Sequence, residues 1–187
     1  MAKSYRTYVI IVAILLTVGC TSVQITREQV EGIRNAAAKV LPPEAKVEVT
    51  TKSRFLAKPE LVISAHLLEG HSPDEKSPYV QGDYGTHEKL TRLVRYRCAK
   101  IFKSVATESQ IPDVSKIIIQ ARHGVRQTYI GALSGSTDVA TTIYQISISV
   151  ADIKKQNWLF IGEEEIMKLW KVDENIIPSL QLQIVTF

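Results

Sequence analysis

A chain of 187 residues fits a single domain. With 45% hydrophobic and 22% charged residues it falls outside the disordered and fibrous classes. The isoelectric point near 9.0 suggests nucleic acid or an anionic surface. That bias is partly local: Lys3 and Arg6 lie in the first 20 residues, which hold no acid. Beyond them, 21 of the 23 basic residues face 19 acidic ones, a formal +2 that is too small for a nucleic-acid-binding surface.

In chain order the first element is a leader. Met1–Thr7 is polar and positive, Tyr8–Val18 is an apolar run, and Gly19 precedes Cys20. A positive start, a short apolar core and a small residue before the cut make up a secretory signal. The run holds 11 residues, where a spanning helix needs about 20. Lys3 and Arg6 would hold the N-terminus on the cytoplasmic side.

The segment Leu16-Thr17-Val18-Gly19-Cys20 resembles the lipobox of bacterial lipoproteins. The resemblance covers the leader alone, and Thr17 departs from the commoner Leu. It implies residues 1–19 as a cleaved signal peptide, a diacylglycerol on the Cys20 thiol and acylation, palmitate included, of the new N-terminus. Two or three chains hold a protein on a membrane almost permanently, whereas one does so marginally. Thr21 in place of Asp after the cysteine implies the outer membrane, on its periplasmic face, in a Gram-negative host. With Cys20 acylated, Cys98 has no intramolecular disulfide partner, and its place on an apolar helical stripe predicts a buried thiol.

Residues 20–25 form a short tether, and the five after Cys20 reach about 17 Å at most. Residues 26–187 are read as one domain. Thr26-Arg27-Glu28-Gln29 has capping-box form. The helix after it carries Val30, Ile33, Ala37 and Val40 on one face and stops before Pro42-Pro43. Val47 and Val49 alternate as in a strand, and Leu61–Leu68 forms a more apolar one. A polar loop is expected over 69–85, long enough to be functional.

The clearest element is a helix over His87–Thr107, with Leu90, Leu93, Val94, Arg97, Cys98, Ile101, Phe102 and Val105 at helical spacing. Its other face bears Lys89, Arg92, Arg95, Lys100 and Lys103, either a solvated face or a contact for anionic lipid or an acidic partner. Strands are expected over Lys116–Gln127 and Ala140–Ala151, joined through Gly131–Ser136 as an antiparallel hairpin. A short helix over Glu163–Lys171 and a terminal strand over Ser179–Phe187 follow. The fold class is α+β: an antiparallel sheet with helices packed on one face.

Arg122-His123-Gly124-Val125-Arg126 follows the apolar Ile117–Ile119 and resembles the Arg-His-Gly motif of the histidine phosphatase superfamily. The resemblance implies His123 as phosphoryl-accepting nucleophile with Arg122 and Arg126 on the phosphate. The chain departs from that family in having no histidine after His123 and only 64 residues beyond it. His66, Glu69, His71 and Asp74 are metal-ligating types, but their spacing matches no metal motif. Tyr79, Tyr84 and Tyr129 are candidates for a ligand surface. No phosphate-cradling glycine loop or paired-cysteine motif occurs, and nothing calls for a cofactor.

The leading expectation is a non-enzymatic envelope lipoprotein. It would be held to membrane lipid through Cys20 and serve a protein partner or an assembly. The alternatives are an envelope hydrolase using the Arg122–Gly124 segment and a small-ligand carrier with residues 69–85 as a lid.

Overall fold

The computed structural model describes residues 25–43, 45–54, 57–66, 87–129 and 135–179. The leader, Cys20, most of the tether, the 69–85 loop and residues 180–187 lie outside them, as do Glu69, His71, Asp74, Tyr79 and Tyr84. The elements are α1 (Arg27–Lys39), β1 (Val47–Arg54), β2 (Ala57–His66), α2 (His87–Glu108), β3 (Lys116–Tyr129), β4 (Gly135–Ser149), α3 (Val150–Lys155), α4 (Glu163–Leu169) and β5 (Lys171–Asn175). They make an α+β domain around one five-stranded sheet of order β1-β2-β3-β4-β5.

Local chemistry sets the helix starts. Thr26 Oγ1 accepts from the Gln29 amide at 3.2 Å, and Gln29 Oε1 accepts from the Thr26 amide at 3.1 Å. The expected capping box is therefore complete, satisfying two amides that the first turn leaves orphaned. Ser149 does the same for α3, its hydroxyl accepting from the Asp152 amide at 3.0 Å. That cap ends β4 at Ser149, where alternation alone had extended the strand to Ala151. The start of β4 also differs, since Gly135 and Ser136 belong to the strand instead of the connection.

Three of the four strand pairs are antiparallel. The exception is β2 with β3, which run parallel from Leu61 opposite Ile117 to His66 opposite Arg122. A parallel pair needs a crossover rather than a tight turn, and α2 lies in that connection. The sequence showed no regular βαβ alternation because this unit occurs once. Ser179 closes a 3-10 turn beginning at Ile177, and the unexpected strand is β5, a polar edge whose five residues are all exposed.

Strand alternation divides the sheet. Leu61, Ile63 and Ala65 of β2, Ile117, Ile119 and Ala121 of β3, and Ile146 and Ile148 of β4 are buried in one cluster with Leu90, Val94, Cys98, Ile101, Phe102 and Val105 of α2. Ile33, Ala36 and Ala37 of α1 join it, so that helix packs on the domain through the expected face. Each fully buried Leu, Ile or Phe contributes roughly 1.5–3 kcal/mol relative to exposure. A bulge between Ala121 and Arg122 leaves Ile143 as the extra residue of β4, so Ile143 and Tyr144 are buried consecutively. Beyond it, register takes up a new phase.

Helix α2 also fixes the neighbouring helices. Ser104 Oγ, buried, donates to the Ala36 carbonyl at 2.7 Å, and Lys39 Nζ meets Glu108 at 2.8 Å. Both pairs advance together, so α1 and α2 run in the same direction. The Phe102 and Trp170 rings, 6.2 Å apart at 35°, close the other side. Truncation of Ile119 to Ala removes a side chain from the centre of this layer. It should lower unfolding free energy by about 2–5 kcal/mol, measured by urea denaturation. Thr50→Ala on exposed β1 should change it by less than about 0.5 kcal/mol.

Candidate functional site

The Arg-His-Gly segment lies within a continuous strand. His123 pairs Thr141, Gly124 pairs Ala140, Val125 pairs Val139 and Arg126 pairs Asp138. In an unbroken strand, period-two alternation puts positions 122 and 126 on one face and position 123 on the other. The backbone therefore does not gather the three positions into one pocket. Arg122 is half-buried, and its guanidinium lies 3.9 Å from the Glu48 carboxylate of β1. His66, the one described member of the second constellation, sits opposite Arg122 at the end of β2. No cluster of three metal-ligating residues occurs among the described residues.

The strand lengths create a feature that motif inspection misses. β2 ends at His66, level with Arg122, and β5 pairs with β4 only from Tyr144 to Ser147. Residues 123–129 and 135–141 therefore form a two-stranded ribbon with no third strand among the described residues. At about 3.3 Å per residue its seven pairs extend on the order of 20 Å beyond the shared sheet. A free ribbon exposes ladder donors and acceptors on both edges and is marginal alone.

On the sheet face opposite the helices, Val62 and Ile118 stand side by side, each 2% exposed. A polar row crosses next to them. Ser64 Oγ donates to Gln120 Oε1 at 3.0 Å, and Gln120 Nε2 donates to Gln145 Oε1 at 2.7 Å. Glu60, buried, meets Lys116 at 3.4 Å. These bonds satisfy half-buried polar groups across β2, β3 and β4, which holds the three strands in register where the ribbon departs.

The basic helix face is less uniform than its spacing suggests. Arg92 pairs with Glu88. Lys100 Nζ lies 4.6 Å from the Tyr96 ring centroid, a cation–π geometry. Lys103 donates to the Ile161 carbonyl at 2.8 Å and so pins the chain entering α4. Arg95 lies near the buried Tyr144, whose pKa is raised by burial and partly restored by that guanidinium. Lys89 and Arg92 are exposed, while the other three are half-buried.

Two grooves flank the C-terminal end of α2. One of about 710 Å³ lies among Lys39, Pro42, Lys100, Lys103 and Glu163, and one of about 450 Å³ lies among Thr107, Gln156 and Trp158. Neither lining includes His66 or His87, the described residues flanking the loop proposed as a lid. No described helix is long and apolar enough to cross a membrane.

Cys98 is free and fully buried, and desolvation pushes its thiol pKa well above the ordinary value. The unfolded thiol titrates near 8.5, so its contribution to stability is intact below that pH. As pH rises further, the unfolded chain releases a proton that the folded chain keeps, and stability falls. Cys98→Ala should flatten this alkaline decline in urea titrations, and the native thiol should resist alkylation at pH 8 until the chain unfolds. No family model, curated protein or solved structure matches this chain.

Proposed function

We propose that the protein is a lipid-anchored domain of the bacterial cell envelope that binds a protein partner or supports an assembly, without catalysis of its own. The anchor is Cys20 after removal of residues 1–19, supported by the positive start, the 11-residue apolar run and the Gly19-Cys20 junction. The periplasmic face of the outer membrane is the favoured site, on the identity of Thr21.

The observation that carries the partner-binding role is the ribbon of residues 123–129 and 135–141. Its base is braced by the Ser64–Gln120–Gln145 row and by the buried Ile143–Tyr144 bulge. Its outer edges have no strand partner among the described residues. Such an edge accepts a strand from another chain, main-chain hydrogen bonds supplying affinity and alternate side chains supplying specificity. The dispersal of Arg122, His123 and Arg126 along this strand supports binding over phosphoryl transfer.

Two measurements test the proposal separately. Mass spectrometry of the membrane fraction should find a diacylglyceryl thioether on Cys20, and Cys20→Ser should leave the leader attached. A mature chain with an unmodified Cys20 overturns the anchor. A photo-crosslinking residue at position 127 should capture a discrete envelope protein in intact cells, whereas one at Lys52 on the β1 edge should not. Equal, diffuse labelling from both positions overturns the ribbon as the binding element.

A further inference from the structure

The turn between α3 and α4 inverts the usual placement of large apolar residues. In the run Trp158-Leu159-Phe160-Ile161, Trp158 is 7% exposed and donates its indole N–H to the Ile153 carbonyl at 2.7 Å. Leu159 and Phe160, its neighbours, are 74% and 83% exposed. The turn is well held: the Phe160 and Ile161 amides donate to the Asn157 carbonyl at 3.1 and 3.2 Å, and Lys103 grips the Ile161 carbonyl. Two adjacent apolar side chains on a braced turn mark a contact surface.

We propose that Leu159 and Phe160 insert into the lipid bilayer and form a second, non-covalent contact between this domain and its membrane. The inference rests on the anchored reading of Cys20, because the tether is what brings an apolar phase within reach. Only the five residues Thr21–Ile25 separate Cys20 from the capping residue Thr26, a span of about 17 Å at most. Helix α1 begins there and runs parallel to α2 toward Lys39 and Glu108, the end at which Thr107 and Leu159 line one groove. The 13 residues of α1 measure about 20 Å. The start of α1 and the turn therefore lie at opposite ends of the helical layer, and membrane contact near both lays that layer along the bilayer. The sheet face opposite the helices then points away from lipid.

Charges around the turn make insertion, not electrostatics, the main attraction. Lys154 and Lys155 precede it, but Glu163, Glu164 and Glu165 follow it, and Lys155 is paired with Asp152 at 3.0 Å. The lysine stems can lie along the interface with their ammonium groups in water. Contact should thus depend little on anionic lipid or on salt.

The test uses the full chain in phosphatidylcholine vesicles with brominated acyl chains. Phe160→Trp should shift emission to the blue and be quenched about twofold by bromines placed roughly 5–10 Å below the headgroups, beyond the parent chain with Trp158 and Trp170 alone. Adding phosphatidylglycerol or salt should change this little. Because residue 160 is exposed, the unfolding midpoint of the variant should match the parent. If the indole introduced by Phe160→Trp stays in water while the chain is vesicle-bound through an acylated Cys20, the inference is overturned and the anchor stands. Quenching at residue 160 with an unlipidated Cys20 upholds the bilayer contact and overturns the anchor. Shielding of residue 160 only when other envelope proteins are present overturns the inference in favour of a protein occupant.

Discussion

The parallel pairing of β2 with β3 is the constraint on which the other elements depend. Two parallel neighbours cannot be joined by a tight turn, so the chain must leave the sheet and return over it. Helix α2 lies in that crossover, and its apolar stripe is buried in one core with Leu61, Ile63, Ile117 and Ile119. Once α2 is seated, Ser104 and Glu108 align α1, and Phe102 receives Trp170 beside α4. Removing the crossover packing would leave three antiparallel hairpin-type pairs with no common cover.

The same arrangement divides the molecule into a braced body and an extension. The polar row reaches Gln145, and beside it the bulge at the buried Ile143 resets the register. Past it, β3 and β4 continue with each other alone among the described residues. A ribbon on a firm base gains stability from a third strand more than the central sheet can, since no third strand flanks it among the described residues. The proposed partner-binding role rests on this difference, although Arg122, His123 and Arg126 lie on the same strand.

The helical side has a different character. Its cations serve local structure: Lys103 fixes a turn, Lys39 joins two helices and Lys100 covers Tyr96. Of these contacts only Lys39–Glu108 is an ion pair, and at the surface such a pair contributes at most about 1 kcal/mol. The exposed Leu159–Phe160 pair is the stronger feature there, because two apolar side chains are held in water by an anchored Trp158. A tether at one end of the layer and an apolar turn at the other would orient the ribbon as well as confine it.

Much of the fold was legible in the sequence, for local physical reasons. The Thr26–Gln29 cap, the stripe of α2 and the alternation of β4 each depend on neighbours within a turn or a pleat. The lipobox-like segment ending at Cys20 is likewise a local pattern, and it lies outside the described residues. The α+β class followed from these elements, and the burial of Cys98 followed from its place in the stripe. Three matters were left to tertiary structure. The direction of β2 against β3 depends on contacts between segments more than 50 residues apart. The polar Lys171–Asn175 becomes a strand only because β4 offers an edge. Trp158-Leu159-Phe160-Ile161 is a uniformly apolar run in sequence, and only packing against Ile153 and α2 decided which of its side chains faced inward.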